Sequence, residues 1–292
     1  MTTVIRPRRS VLYMPGINER ALEKAKTIPA DSLILDLEDS VAPDSKDAAR
    51  HLVCARVKSG GYGSREIIIR INGLESEWGE ADLEAAAQTG ADGILVPKVN
   101  SANDILDAAE RKKQAGGADN QQMWAMIETP LGVLNAQEIA AAAIDANLTC
   151  LILGTNDLLK ETRAQFLPDR APVLAWLSAA VIAARAYGLD VIDGVYNNFR
   201  DEDGLIAEAE QGRALGMDGK TLIHPAQLDI ANKVFAPTES QIDLACRQME
   251  AFDEARARGE GVAVVDGKIV ENLHIETARQ TLARADAIAK RA

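Results

Sequence analysis

Short apolar runs alternate with longer amphipathic stretches along most of this chain. The runs are Ser10 to Met14, Ser32 to Leu37, Glu66 to Ile71, Gly93 to Val99, Met123 to Ile127, Leu148 to Leu153, Asp190 to Val195 and Gly219 to Ile223. They are too short for typical helices and rich in β-branched residues, so they predict eight strands. Helical patterns lie between them, at Glu19 to Thr27, Asp82 to Thr89, Val133 to Asp145, Val173 to Tyr187 and Leu205 to Leu215. Such alternation requires parallel strands joined by crossover helices. Eight units predict an α/β fold of the (β/α)8 TIM-barrel type. An open doubly wound sheet is the alternative, but no Gly-x-Gly-x-x-Gly follows an early strand.

The pattern changes after Ile223. Ala236-Pro237-Thr238 breaks the chain, and Thr238 with Gln241 resembles a capping box. Ile242, Cys246, Met249 and Phe252 form an apolar stripe at helical spacing. Val262 to Val265, Asp266-Gly267 and Lys268-Ile269-Val270 read as a hairpin, and a last helix runs from about Leu273 to Ala289. The expected division is a catalytic barrel over 1–236 and a C-terminal helical extension over 237–292. The extension exceeds what a barrel needs, so it is expected to cover a barrel mouth, its own or a neighbouring subunit's.

Composition narrows the function classes. The chain has 292 residues, 47% hydrophobic, with a formal net charge of −12. That charge argues against a nucleic-acid surface. Cys54, Cys150 and Cys246 show no paired spacing and read as reduced core thiols of a cytoplasmic protein. No apolar run is long enough to span a membrane.

The strand ends carry the candidate chemistry, because in a barrel they converge on one face. Met123 to Ile127 leads into Glu128, and Leu151 to Leu153 leads to Asp157. Each acid alone could cap the following helix. Together, on neighbouring strands, they could share a divalent ion such as Mg²⁺. Asp36 and Glu38 point the same way by alternation and form a supporting pair. Arg70 is a lone charge in an isoleucine run and needs an anionic partner, either Asp36 or Glu38 or a ligand. Gly16 would permit close approach of a ligand to the backbone. Lys98 offers a rival chemistry, a Schiff base with a carbonyl substrate. Nearby acids would keep that amine protonated, which favours metal chemistry. A metal, an arginine and several acids suit enolate formation beside a carbonyl.

At this point the residues resemble a known family. Arg9-Ser10-Val11-Leu12-Tyr13-Met14-Pro15-Gly16, Leu35-Asp36-Leu37-Glu38-Asp39-Ser40-Val41-Ala42-Pro43 and Arg70-Ile71-Asn72-Gly73 look like opening motifs of the citrate lyase beta subunit and malyl-CoA lyase family. Val96-Pro97-Lys98-Val99, Ile127-Glu128-Thr129-Pro130, Gly154-Thr155-Asn156-Asp157 and Ile223-His224-Pro225 continue the likeness nearly to the C-terminus. The resemblance implies Mg²⁺ held by Glu128 and Asp157, and Arg70 at the thioester oxygen. It implies contacts to coenzyme A from Tyr13, Asn18, Lys24, Ile223, His224 and Pro225. It implies a homotrimer or a dimer of trimers. Malyl-CoA lyase relatives place an aspartate after the tail hairpin, working in the neighbouring subunit's site. Here Glu271 stands in that place, with Asp266 as a nearby substitute.

The resulting expectation is a Mg²⁺-dependent carbon–carbon lyase. It would act on malyl-CoA, β-methylmalyl-CoA or citramalyl-CoA, giving acetyl-CoA or propionyl-CoA and a keto acid, glyoxylate or pyruvate. A thioesterase on the same substrates is one alternative, and a non-catalytic or carrier-associated subunit is another.

Overall fold

The computed structural model describes residues 6–291 and divides into two compact units, one comprising Arg8–Phe235. In that unit eight parallel strands close into a barrel in chain order, with β1 returning to pair with β8. They are β1 (Ser10–Pro15), β2 (Ser32–Asp36), β3 (Glu66–Arg70), β4 (Gly93–Val96), β5 (Gln122–Ile127), β6 (Leu148–Leu153), β7 (Asp190–Asp193) and β8 (Gly219–Leu222). The first six helices are α1 (Glu19–Lys24), α2 (Lys46–Ser59), α3 (Gly79–Ala87), α4 (Ala102–Gln114), α5 (Pro130–Leu134) and α6 (Ala136–Ala141). Four more follow, α7 (Thr155–Thr162), α8 (Leu174–Ala186), α9 (Glu202–Leu215) and α10 (Leu228–Val234). The helix expected over Val133 to Asp145 is in fact two. Thr129 caps Gly132 N at 2.9 Å with Pro130 at the first helical position, so α5 starts early. It ends at Asn135, where α6 begins.

Strand parity explains both cores. Val11, Ile34, Ile68, Leu95, Trp124, Met126, Cys150 and Ile192 fill the barrel interior. Their neighbours Leu12, Leu33, Leu35, Ile67 and Ile69 face outwards, into the cluster shared with the helices. With both faces covered, the strands read as continuous apolar runs. The interior is also floored. Arg8 donates to Glu66 at 2.9 and 2.7 Å, to Asp190 at 2.8 Å and to Gln122 at 2.8 Å, and lies 4.8 Å from the centre of the Trp124 ring.

The other unit holds α11 (Glu239–Ala257), β9 (Ala263–Val265), β10 (Lys268–Val270) and α12 (Asn272–Ala289). Thr238 and Gln241 make the capping box, with bonds of 3.2 and 2.9 Å. Asp266 and Gly267, at φ 51° and 72°, turn the hairpin. Phe252, Ala255, Ala263, Val265, Val270 and Ile275 form this unit's own core. The expected stripe is out of phase at one position: Ala245 is buried and Cys246 exposed. The three cysteines are therefore not all core thiols, since Cys54 is half-buried and only Cys150 is fully enclosed. Among the described residues no helix is long and apolar enough to cross a membrane.

Candidate active site

The inward parity continues beyond the core. Two residues past Val11, Ile34, Ile68 and Met126 stand Tyr13, Asp36, Arg70 and Glu128. All four line a cavity of about 390 Å³ at the C-terminal mouth. Asp39, Asp157, Asn197, Thr221 and Ile223 line it too.

Arg70 is buried and makes a forked pair with Asp36, Nε to Oδ1 at 2.6 Å and Nη2 to Oδ2 at 2.8 Å. Its Nη1 lies 2.8 Å from Glu38 Oε2, without hydrogen-bond alignment, and donates to Asp39 at 3.2 Å. The guanidinium carbon stands 4.9 Å from the centre of the Tyr13 ring. Burial works against the charge of Asp36, but Arg70 outweighs it and holds the carboxyl below its ordinary range. Burial pushes Glu38 up, and Arg70 only partly offsets this.

Glu128 is 2% exposed and accepts the Lys98 peptide N–H at 2.8 Å. Burial, then the nearby Glu38 charge, push its carboxyl up to about 8, with Asp157 adding to the effect. Asp157 does not end a strand as expected. The chain turns at Gly154, α7 starts at Thr155, and Asp157 sits half-buried in the first helical turn. Five acidic side chains, those of Asp36, Glu38, Asp39, Glu128 and Asp157, thus face three cations, Arg70, Lys98 and Lys46. A divalent ion would offset that excess. Among the described residues no cluster of three or more His, Cys, Asp or Glu side chains is arranged to hold a metal. Two acids with open positions suit Mg²⁺, which keeps water and substrate oxygens as its remaining partners.

Lys98 Nζ lies 3.5 Å from Glu38 Oε1. Burial lowers its pKa, but Glu38 and Glu128 raise it further, so the amine is protonated at neutral pH. That disfavours the Schiff-base chemistry. Packing requires Gly16: an added Cβ would lie 2.4 Å from the Asp36 carbonyl oxygen, and its N–H bonds that oxygen at 2.9 Å.

Not all expected contacts gather here. Asn18 is exposed and caps α1 through Ala21 N at 3.0 Å, and Lys24 is exposed on the same helix. His224 stacks on Phe199 with ring centres 4.5 Å apart and accepts Ala226 N, while Pro225 starts the next turn; of this motif only Ile223 lines the cavity. Glu271 belongs to the other unit, exposed at the start of α12, with its N–H on His274 Nδ1 at 3.1 Å. Sequence reasoning missed Asp39 and the Asn156–Asn197 amide pair, at 2.9 and 3.2 Å. Asp39 follows two flagged acids and could have been found; the amide pair spans 41 positions and left no local signal.

The fold and the site define an α/β barrel with its polar groups at the C-terminal strand ends, where enzymes of this architecture place their chemistry. The chain belongs to the HpcH/HpaI aldolase/citrate lyase family, which it matches over residues 9–225. It is 56% identical to a (3S)-malyl-CoA thioesterase of Cereibacter sphaeroides (strain KD131), covering 97% of this chain and 96% of the relative. It is 38% identical to citrate lyase subunit beta of Escherichia coli K12, covering 96% and 94%. Protein CitE from Mycobacterium tuberculosis, solved in complex with magnesium, acetoacetate and coenzyme A, superposes with a TM-score of 0.77 at 27% identity, over 95% of this chain and 97% of that one.

Proposed function

We propose that this protein is a Mg²⁺-dependent thioesterase acting on short 3-hydroxyacyl-CoA thioesters of the malyl-CoA type. The observation that carries the reading is the 56% identity to a (3S)-malyl-CoA thioesterase along 97% of the chain. The acid pair beside Arg70 supports it. Glu128 and Asp157 would hold the ion, leaving positions for the hydroxyl and carboxylate oxygens of the acyl group. When bound, Mg²⁺ supplies Lewis-acid polarisation of those oxygens and offsets the carboxylate excess. Arg70, fixed by Asp36, presents a donor where negative charge develops on the thioester oxygen. Met126 and Leu153 would give the acyl chain an apolar wall. Water adds to the thioester carbon, the C–S bond breaks, and free CoA thiol and the hydroxy acid leave. Glu271, contributed by a neighbouring subunit, is assigned the proton transfer.

The carbon–carbon lyase is the second reading, favoured by the 38% identity to citrate lyase subunit beta. In it the bond between C2 and C3 of the acyl group breaks, and Arg70 stabilises an acyl-CoA enolate instead. Incubation with malyl-CoA separates the two when free thiol and glyoxylate are scored independently. Free thiol with malate and no glyoxylate is expected. Glyoxylate with acetyl-CoA, and no free thiol, would replace the first reading with the second. Chelation of divalent ions should abolish turnover, and Glu128→Gln should do the same while remaining folded. Full activity after chelation would refute the metal assignment.

A further inference from the structure

Val96 ends β4, and two residues later Lys98 adopts a left-handed backbone with φ 51°. A side chain makes that conformation unfavourable, and it persists only where surroundings enforce it. Here two donors explain it. The turn aims the Lys98 N–H at Glu128 Oε1, 2.8 Å away, and the Val99 N–H at the Met126 carbonyl, 3.2 Å away. Both acceptors lie at the end of β5, so the strained turn stitches β4 to the residue that follows β5. Glu128 is confined from the opposite side as well. A Cβ on Gly154 would fall 2.4 Å from Glu128 Cβ and 2.7 Å from Oε2. The Lys98 ammonium is occupied elsewhere, against Glu38.

We propose that Lys98 is a positioning residue whose peptide N–H, turned by its left-handed backbone, fixes Oε1 of Glu128 and leaves Oε2 free for the divalent ion. This rests on the reading of Glu128 as an ion ligand. The role belongs to the backbone, so substitutions at this position are sorted by their tolerance of a positive φ and not by their charge.

The test uses Mn²⁺ as the probe on the full-length protein, with free Mn²⁺ counted by electron paramagnetic resonance and folding checked by circular dichroism. Lys98→Gly keeps the N–H and accepts the conformation, so Mn²⁺ affinity should hold within roughly twofold. Lys98→Met loses only the charge and should behave alike. Lys98→Val resists a positive φ and should weaken binding about tenfold or more, the worth of a hydrogen bond to a charged group. A tenfold loss in both the glycine and methionine variants would give the role to the ammonium and overturn the proposal. Valine binding as tightly as glycine would overturn it too. Should the valine variant not fold, the glycine and methionine variants still decide. Glu128→Gln separates the underlying reading: if it binds Mn²⁺ as tightly as the unaltered protein, the ion assignment itself falls.

Discussion

Arg70 stands two residues beyond Ile68, on the inward face where the isoleucine run meets the mouth. Its forked pair with Asp36 is the salt bridge that a lone charge in an apolar strand demands, and it also orients the remaining donors. The structural pair and the proposed function therefore rest on one side chain. Lysine cannot reproduce the planar fork. Arg70→Lys should fold, bind the divalent ion, and lose on the order of 3 kcal/mol of transition-state stabilisation, roughly a hundredfold in kcat. A near-normal kcat would leave Arg70 with its structural role alone. The partnership of Arg70 with Asp36 was legible because alternation and an unexplained charge point the same way. Asp157 was less so, because a strand run does not reveal where Gly154 turns the chain. Lys98 was legible as an amine kept protonated by nearby acids, but its peptide contact to Glu128 left no signal in the sequence.

At the level of elements, strand positions were legible, and most polar bonds between elements, the Arg70–Asp36 pair apart, were not. Each barrel strand begins and ends within a few residues of its apolar run, because burial on both faces writes itself into composition. The lock between β7, β8 and α9 left no such mark. Lys220 on β8 is fully buried, with Nζ on Asp193 at 3.1 Å, Glu208 at 2.7 Å and the Gly194 carbonyl at 2.6 Å. Arg170, itself left-handed at φ 56°, closes the set on Asp193 at 2.7 and 2.9 Å. Two acids and two cations balance, and partners 12 to 38 positions apart meet only through the fold. Removing one cation leaves a buried acid uncompensated. Lys220→Met should therefore destabilise the barrel by about 3–5 kcal/mol in denaturant unfolding. A loss below about 1 kcal/mol would mean that Arg170 alone neutralises the set.

At the level of the molecule, the tail has its own core and an uncovered side. Val264 and Ile269 pair across the hairpin and are both mostly exposed, as is Leu273 nearby. This accords with the proposal that the tail of one subunit serves the barrel of another, with Glu271 working there in trans. Such a proton-transfer role is worth ~10²–10⁴ in rate. Glu271→Ala should bind the ion and turn over slowly, whereas Glu128→Ala should lose the ion. Dissociated together and reassembled, the two should regain activity in sites that draw Glu128 from one chain and Glu271 from another. No recovery from mixed oligomers would confine Glu271 to its own subunit or remove it from the chemistry. The barrel floor has a different consequence. Arg8, Glu66, Gln122 and Trp124 pack at the lower end, and the barrel interior above them is filled by apolar side chains. On the proposed reading the substrate enters this mouth whole, acyl end first, and of its two products the one seated deeper, against Glu128 and Arg70, leaves last.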